Sequence, residues 1–208
     1  MILNEVYEQI KASEKPLVNY LFLKEVMEEI SMVYYEKGQY EKSVETLICI
    51  IDEYYNDKKI VTKEEFRYNV EYAHLNLLIG NMFRKTGDLE KCQEYLTEAE
   101  TTLNNINFSE EDQHNFYYGI LYKCLGKMNC SKKEYTKSLE LIYKSTDIFV
   151  KLGENNGTFD FAVPYVISNY RLQGNIISKA EGFKEGMEMY KQAIFLSQNV
   201  ESCNGYAL

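Results

Sequence analysis

One template recurs four times along this chain of 208 residues, and its length and internal spacing restrict the fold to stacked helix pairs. Around Gly38 the sequence reads MEEISMVYYEKGQYEKSVETLICII, and around Gly87 it reads NLLIGNMFRKTGDLEKCQEYLTEAE. Each stretch has the pattern of a helix, a tight turn at the glycine and a second helix. The turn glycine is followed two residues on by Tyr40 or Leu89, then by the small residues Ser43 or Cys92, then by Leu47 or Leu96. The same offsets return at Tyr135, Ser138 and Ile142 and at Phe183, Gly186 and Tyr190. Positions 43, 92, 138 and 186 are separated by 49, 46 and 48 residues. A small residue is needed where the two helices of a pair cross most closely, because a large side chain there would hold the backbones apart. The first helices carry their own small residue at Ser31, Gly80, Gly126 and Gly174, and Gly80 and Gly126 are predicted to be packing glycines.

Helix-end signals divide the chain further. Thr62-x-x-Glu65 and Ser131-x-x-Glu134 fit a capping box, and Ser109-x-x-Asp112 is a shorter-armed version. Pro164 falls in the expected first turns of a helix, where a missing amide costs little. The reading is one domain over 1–208 with about nine helices: an extra helix at 2–12, then 17–37 with 40–56, 63–85 with 88–106, 110–130 with 133–152, and 160–180 with 183–200. The four units are thus 17–56, 63–106, 110–152 and 160–200. The chain ends in ESCNGYAL, whose last residues read as the start of a further first helix. That would leave an apolar end face, which solenoids must protect. A homodimer partner or further residues are expected to cover it.

Composition narrows the class of function. With 45% hydrophobic and 26% charged residues the chain is expected to fold, and 2 prolines and 11 glycines are too few for the turns of a sandwich or barrel. The formal charge of −9 opposes recruitment to phosphate backbones or anionic lipid, so neither nucleic acid nor membrane is an expected partner. No apolar run approaches the length of a membrane span, and the N-terminus lacks a signal-peptide pattern, so a cytoplasmic location is expected. Cys49, Cys92, Cys124, Cys130 and Cys203 have no C-x-x-C spacing, and His74 and His114 have no partner at ligand spacing. Reduced thiols are expected, with no metal and no cofactor. Nothing in the sequence sets a nucleophile, base and orienter in a recognisable order or forms a phosphate-binding loop, so the expectation is a binding protein and not an enzyme.

The repeat resembles the tetratricopeptide family, on Tyr122-x-x-Leu125-Gly126 in the third unit and on Ile79-Gly80-x-x-Phe83 with Gly87-Asp88 in the second. The resemblance implies an all-α, right-handed superhelical solenoid whose first helices line a concave groove. Departures are clear: Tyr55, Asn104 and Val150 stand where a proline usually closes the repeat, Asn76, Asn129 and Gln173 fill normally apolar positions, and the period is about a dozen residues longer than usual. Long repeats rich in Tyr, Lys, Ile and Asn are also similar to the ligand-binding halves of Gram-positive peptide-pheromone receptors. That likeness implies quorum sensing and transcription regulation, with the output domain absent from this chain.

Projecting the first helices gives the candidate groove rows: Glu28, Met32 and Tyr35; Leu77, Asn81 and Arg84; Lys123, Lys127 and Cys130; Arg171, Asn175 and Ser178. The predicted peptide-binding set is Asn81, Arg84, Lys123, Lys127, Arg171 and Asn175. Cations here in an acidic protein suit a peptide or protein segment with acidic groups or a free carboxylate. An asparagine carries both donor and acceptor and can hold a peptide main chain; as plain surface residues the same side chains would only be solvated. A scaffold that assembles partners through convex or end surfaces is the alternative. Glu90, Glu94 and Glu98 form an acidic row that is either a solvated face or a landing point for a basic partner.

Overall fold

The structure is a computed structural model that describes residues 16–52, 65–106, 111–155 and 159–204. Among these residues there are eight helices and no strand: α1 (Pro16–Glu36), α2 (Tyr40–Ile50), α3 (Glu65–Thr86), α4 (Leu89–Asn105), α5 (Glu111–Ser131), α6 (Tyr135–Asn155), α7 (Phe159–Ala180) and α8 (Phe183–Asn204). The protein is an all-α helical repeat. The chain divides into two compact units, Met1–Ile106 and Asn107–Leu208. In the first, α1 packs on α2, α2 on α3 and α3 on α4; in the second, α5 packs on α6, α6 on α7 and α7 on α8. The predicted helix at 2–12 and the caps at Thr62 and Ser109 lie outside the described residues.

The turns of the first and third pairs share one device. In the first, the Gly38 amide donates to Tyr35 O (2.9 Å) and the Gln39 amide to Tyr34 O (2.9 Å), closing the helix through a left-handed residue at φ 71°. The third pair repeats both bonds, from Lys133 to Cys130 O and from Glu134 to Asn129 O, but places a lysine at φ 65° where the first pair has glycine. This corrects the capping box expected at Ser131-x-x-Glu134. Ser131 ends α5, its hydroxyl donating to Lys127 O (3.2 Å), and Glu134 caps α6 through its backbone oxygen, which accepts from the Ser138 amide. Pro164 is the sixth residue of α7, within its first two turns as expected. Glu201–Asn204 belong to α8, and the start of a further helix expected in the chain's last residues lies outside the described residues.

The predicted small-residue crossings are where the helices meet. In the first pair the Ser31 and Ser43 hydroxyls lie 2.8 Å apart and each reaches the other's carbonyl oxygen. A Cβ on Gly80 would stand 2.9 Å from Leu96 Cδ2 and 3.3 Å from Cys92 O. One on Gly126 would stand 2.5 Å from Ile142 Cδ1 and 3.2 Å from Ser138 O, while the Ser138 hydroxyl donates to Gly126 O (2.7 Å). On Gly174 a Cβ would meet the Tyr190 ring at 2.9 Å, and on Gly186 it would meet Gly174 O at 2.5 Å. Each crossing therefore joins two small residues twelve apart in sequence, with Leu96, Ile142 and Tyr190 seated over the glycine of the facing helix. The first unit's core adds Met27, Val44, Leu47, Ile50, Leu75, Ile79 and Met82.

The polar residues at normally apolar positions are absorbed locally. Asn76 Nδ2 donates to Tyr72 O and Asn129 Nδ2 to Leu125 O, both 2.8 Å, one turn back on their own helices. Gln173 Nε2 donates across to Thr146 Oγ1 (2.9 Å), while Gln173 Oε1 is buried without a partner. A buried acceptor left so costs free energy, and the chain keeps it in a fully buried position.

Candidate functional site

The predicted binding residues fall into both units, so their geometry is described unit by unit. In the first, Asn81 and Arg84 sit one turn apart on α3, and Arg84 Nε donates to Asn81 Oδ1 (3.2 Å). The amide oxygen thereby accepts from the guanidinium of its own helix. Leu77, projected onto the same row, is 1% exposed and belongs to the core. Of the projected row on α3, Leu77 is therefore not at the surface, while Asn81 and Arg84 are half-buried.

In the second unit the floor of the site is aromatic. Phe149 of α6 and Tyr165 of α7 stack at 4.5 Å and 20°, and Phe116 of α5 meets both edge-on at 5.9 and 5.4 Å. This cluster forms because Gly119 of α5 leaves room for the Phe149 ring, which a Cβ there would meet at 2.8 Å. Lys123, two turns on from Phe116, lays its ammonium 5.6 Å from the Tyr165 ring centroid and donates to Ser168 Oγ (2.8 Å). Burial lowers the Lys123 pKa from 10.5 to about 8, and the neighbouring positive charge of Lys127 adds to the fall. Burial also raises the Tyr165 phenol pKa. An ammonium held by a hydroxyl and a ring face is stabilised less than one held by a carboxylate, and this one sits beside a second cation.

Ser168 connects the two predicted cationic helices. It takes the Lys123 ammonium, and Arg171 and Asn175 follow it on α7 at three and seven residues, on one flank of the helix. Arg171 and Asn175 are exposed while Lys123 and Lys127 are half-buried. Asn175 Oδ1 accepts from the Tyr190 hydroxyl (2.7 Å), so here too the amide oxygen has an internal partner. Tyr190 reaches it because the fourth repeat places tyrosine where the others place Leu47, Leu96 or Ile142, opposite the small residue of the first helix. Sequence reasoning missed Tyr165, Ser168 and Tyr190 as partners. The only sequence signal for any of them was Tyr190's place in the template.

Cys49, Cys92, Cys124 and Cys130 form no disulfide. Among the described residues no three His, Cys, Asp or Glu side chains are grouped to hold a metal ion, and no helix is long and apolar enough to cross a membrane.

No protein-family profile matches the chain, and no curated protein does either. Among solved structures the chain is similar to the crystal structure of BtubC (BKLC) from P. vanneervenii, with a TM-score of 0.63, 14% identity, and 99% of this chain and 73% of that chain covered. At that identity the likeness concerns the fold alone, and it agrees with the all-α repeat class.

Proposed function

We propose that this protein is a peptide-binding helical-repeat module, acting by binding and without catalysis, that captures a segment bearing acidic groups or a free carboxylate. The observation that carries the reading is Lys123: a half-buried ammonium held by Ser168 and Tyr165, with its charge disfavoured by burial and by Lys127. A carboxylate bound there would offset the desolvation and relieve the repulsion between the two lysines. Arg171, on the same flank of α7 as Ser168, would supply a second donor, and Asn81 and Asn175 would offer amide NH2 groups to ligand main chain. The finer form of the proposal is a cytoplasmic, peptide-responsive regulator of transcription in which this chain is the ligand-binding part, making no contact with nucleic acid itself.

The test is calorimetric titration of the full chain with short peptides that differ only in a free or an amidated C-terminus. The free acid should bind more tightly, and Lys123→Glu or Arg171→Glu should each weaken it by roughly 1 to 3 kcal/mol. Asn81→Ala should weaken both peptides alike. Equal affinity for the two termini, unaffected by either charge reversal, would refute the carboxylate reading.

A second reading, assembly through an end surface, has support in α8. Ile194 and Phe195 are 56% and 62% exposed near the end of the described side chains, and Phe183 at the start of the helix is 65% exposed. Exposed side chains of this size suit a second copy of the chain.

A further inference from the structure

A cavity of about 360 Å³ opens in the first unit, and none of its lining residues belongs to the carboxylate site. Among the described residues it is lined by Ile48 of α2, Ile51 and Asp52 just past the end of that helix, Tyr72 and Asn76 of α3, and Glu94, Tyr95 and Glu98 of α4. Its depth is apolar, since Ile51 is 7% exposed and Ile48 is half-buried, whereas Asp52, Glu94 and Glu98 are exposed. Two phenol rings wall it, and Tyr95 is fixed in place by stacking on Phe83 at 5.4 Å and 23°.

Two observations show what chemistry this cavity suits. Its described lining carries three carboxylates, Asp52, Glu94 and Glu98: burial and then Asp52 and Glu94 raise the Tyr95 pKa, and Tyr72 donates its hydroxyl to Glu98 Oε1 (3.4 Å). Asn76, 1% exposed, also lines the cavity; its hydrogen bond runs from Nδ2 to Tyr72 O, so the amide oxygen can still accept from an occupant. This lining suits a ligand with positive charge, several N–H donors and an apolar stem. Among the described residues the acids do not converge as metal ligands would, which favours an extended, planar cation over a metal ion. A guanidinium meets these demands: it is planar, stacks on aromatic faces and offers five donors to carboxylates and an amide oxygen.

We propose that this cavity is a docking site for an arginine side chain presented by a peptide or protein segment. Its methylene stem lies along Ile48 and Ile51, and its head between the two tyrosines and the Glu94, Glu98 and Asp52 carboxylates. The site goes beyond the carboxylate-binding reading, because none of its residues is shared with Lys123, Lys127, Arg171 or Asn175.

The test uses the full chain and three capped tripeptides, Gly-X-Gly with X as arginine, lysine or citrulline, followed by NMR signals of labelled tyrosine rings. The arginine peptide should shift the Tyr72 and Tyr95 resonances saturably, citrulline should not, and lysine should bind more weakly than arginine. Glu94→Gln combined with Glu98→Gln, both at exposed positions that leave the fold intact, should weaken the arginine peptide about tenfold or more. The assignment is overturned if citrulline matches arginine, if lysine binds as tightly as arginine, if the Tyr72 and Tyr95 signals do not saturate, or if the double variant binds like the parent.

Discussion

Replacing Lys123 by methionine keeps the length of the side chain and removes its charge, so it isolates what burying that ammonium costs the free protein. The pKa falls from 10.5 to about 8 on folding, mainly through burial and then through Lys127. The unfolded chain consequently holds the proton more tightly than the native one between these two values. Stability should rise with pH across that window, and at pH 7 the charge costs about 3 kcal/mol at most. Side-chain relaxation and water near the half-buried amine reduce the measurable effect to roughly 1 to 3 kcal/mol. Urea unfolding of parent and Lys123→Met at pH 7 and at pH 9.5 measures it. The variant should be more stable than the parent at pH 7, and the gap should narrow by pH 9.5. Measurements stay below pH 10, because the raised pKa values of Tyr95 and Tyr165 add stability that is lost only as pH rises past the ordinary phenol value of 10.0. The reasoning is refuted if the variant is no more stable at pH 7, or if the gap between the two proteins does not change with pH.

Three further outcomes follow from the packing and the exposed surface. Gly126→Leu and Gly80→Leu should each destabilise by about 1 to 3 kcal/mol or more in chemical denaturation, because even a Cβ would stand 2.5 Å from Ile142 Cδ1 and 2.9 Å from Leu96 Cδ2 respectively; parent-like midpoints would mean the crossings are misplaced. Lys133→Gly should stabilise by about 1 kcal/mol, since φ 65° strains any residue with a Cβ, and an unchanged or lowered melting temperature would count against that turn. Light scattering should show self-association that Ile194→Asp with Phe195→Asp abolishes; a monomeric parent at high concentration would rule out α8 as a homodimer surface.

The sequence determined the repeat. A close helix crossing tolerates only a small side chain, and a left-handed turn residue closes each first helix, so both constraints act over about a dozen residues and leave a pattern in the chain. Ser31 with Ser43, Gly80 with Cys92, Gly126 with Ser138 and Gly174 with Gly186 could be paired on spacing alone, and the structure joins them. Even there, Ser131-x-x-Glu134 read as a helix start when its serine finishes the preceding helix, because a capping motif names residues but not which side of the turn they fall on. Tertiary structure decided the sites. Leu77 sits on the projected ligand row yet is buried, since a helix packed against neighbours on two sides hides a wider arc than its own periodicity reveals. Lys123 is legible in the sequence as a cation on the projected row, but its hydroxyl partner Ser168 lies 45 residues away and the ring beneath it belongs to another helix. The acidic cavity draws on α2, α3 and α4 together, so Glu94 and Glu98 look in sequence like any solvated acidic row. Only the rotation of each helix against its neighbours, set by the summed packing of the core, placed them beside Tyr72, Asn76 and Tyr95.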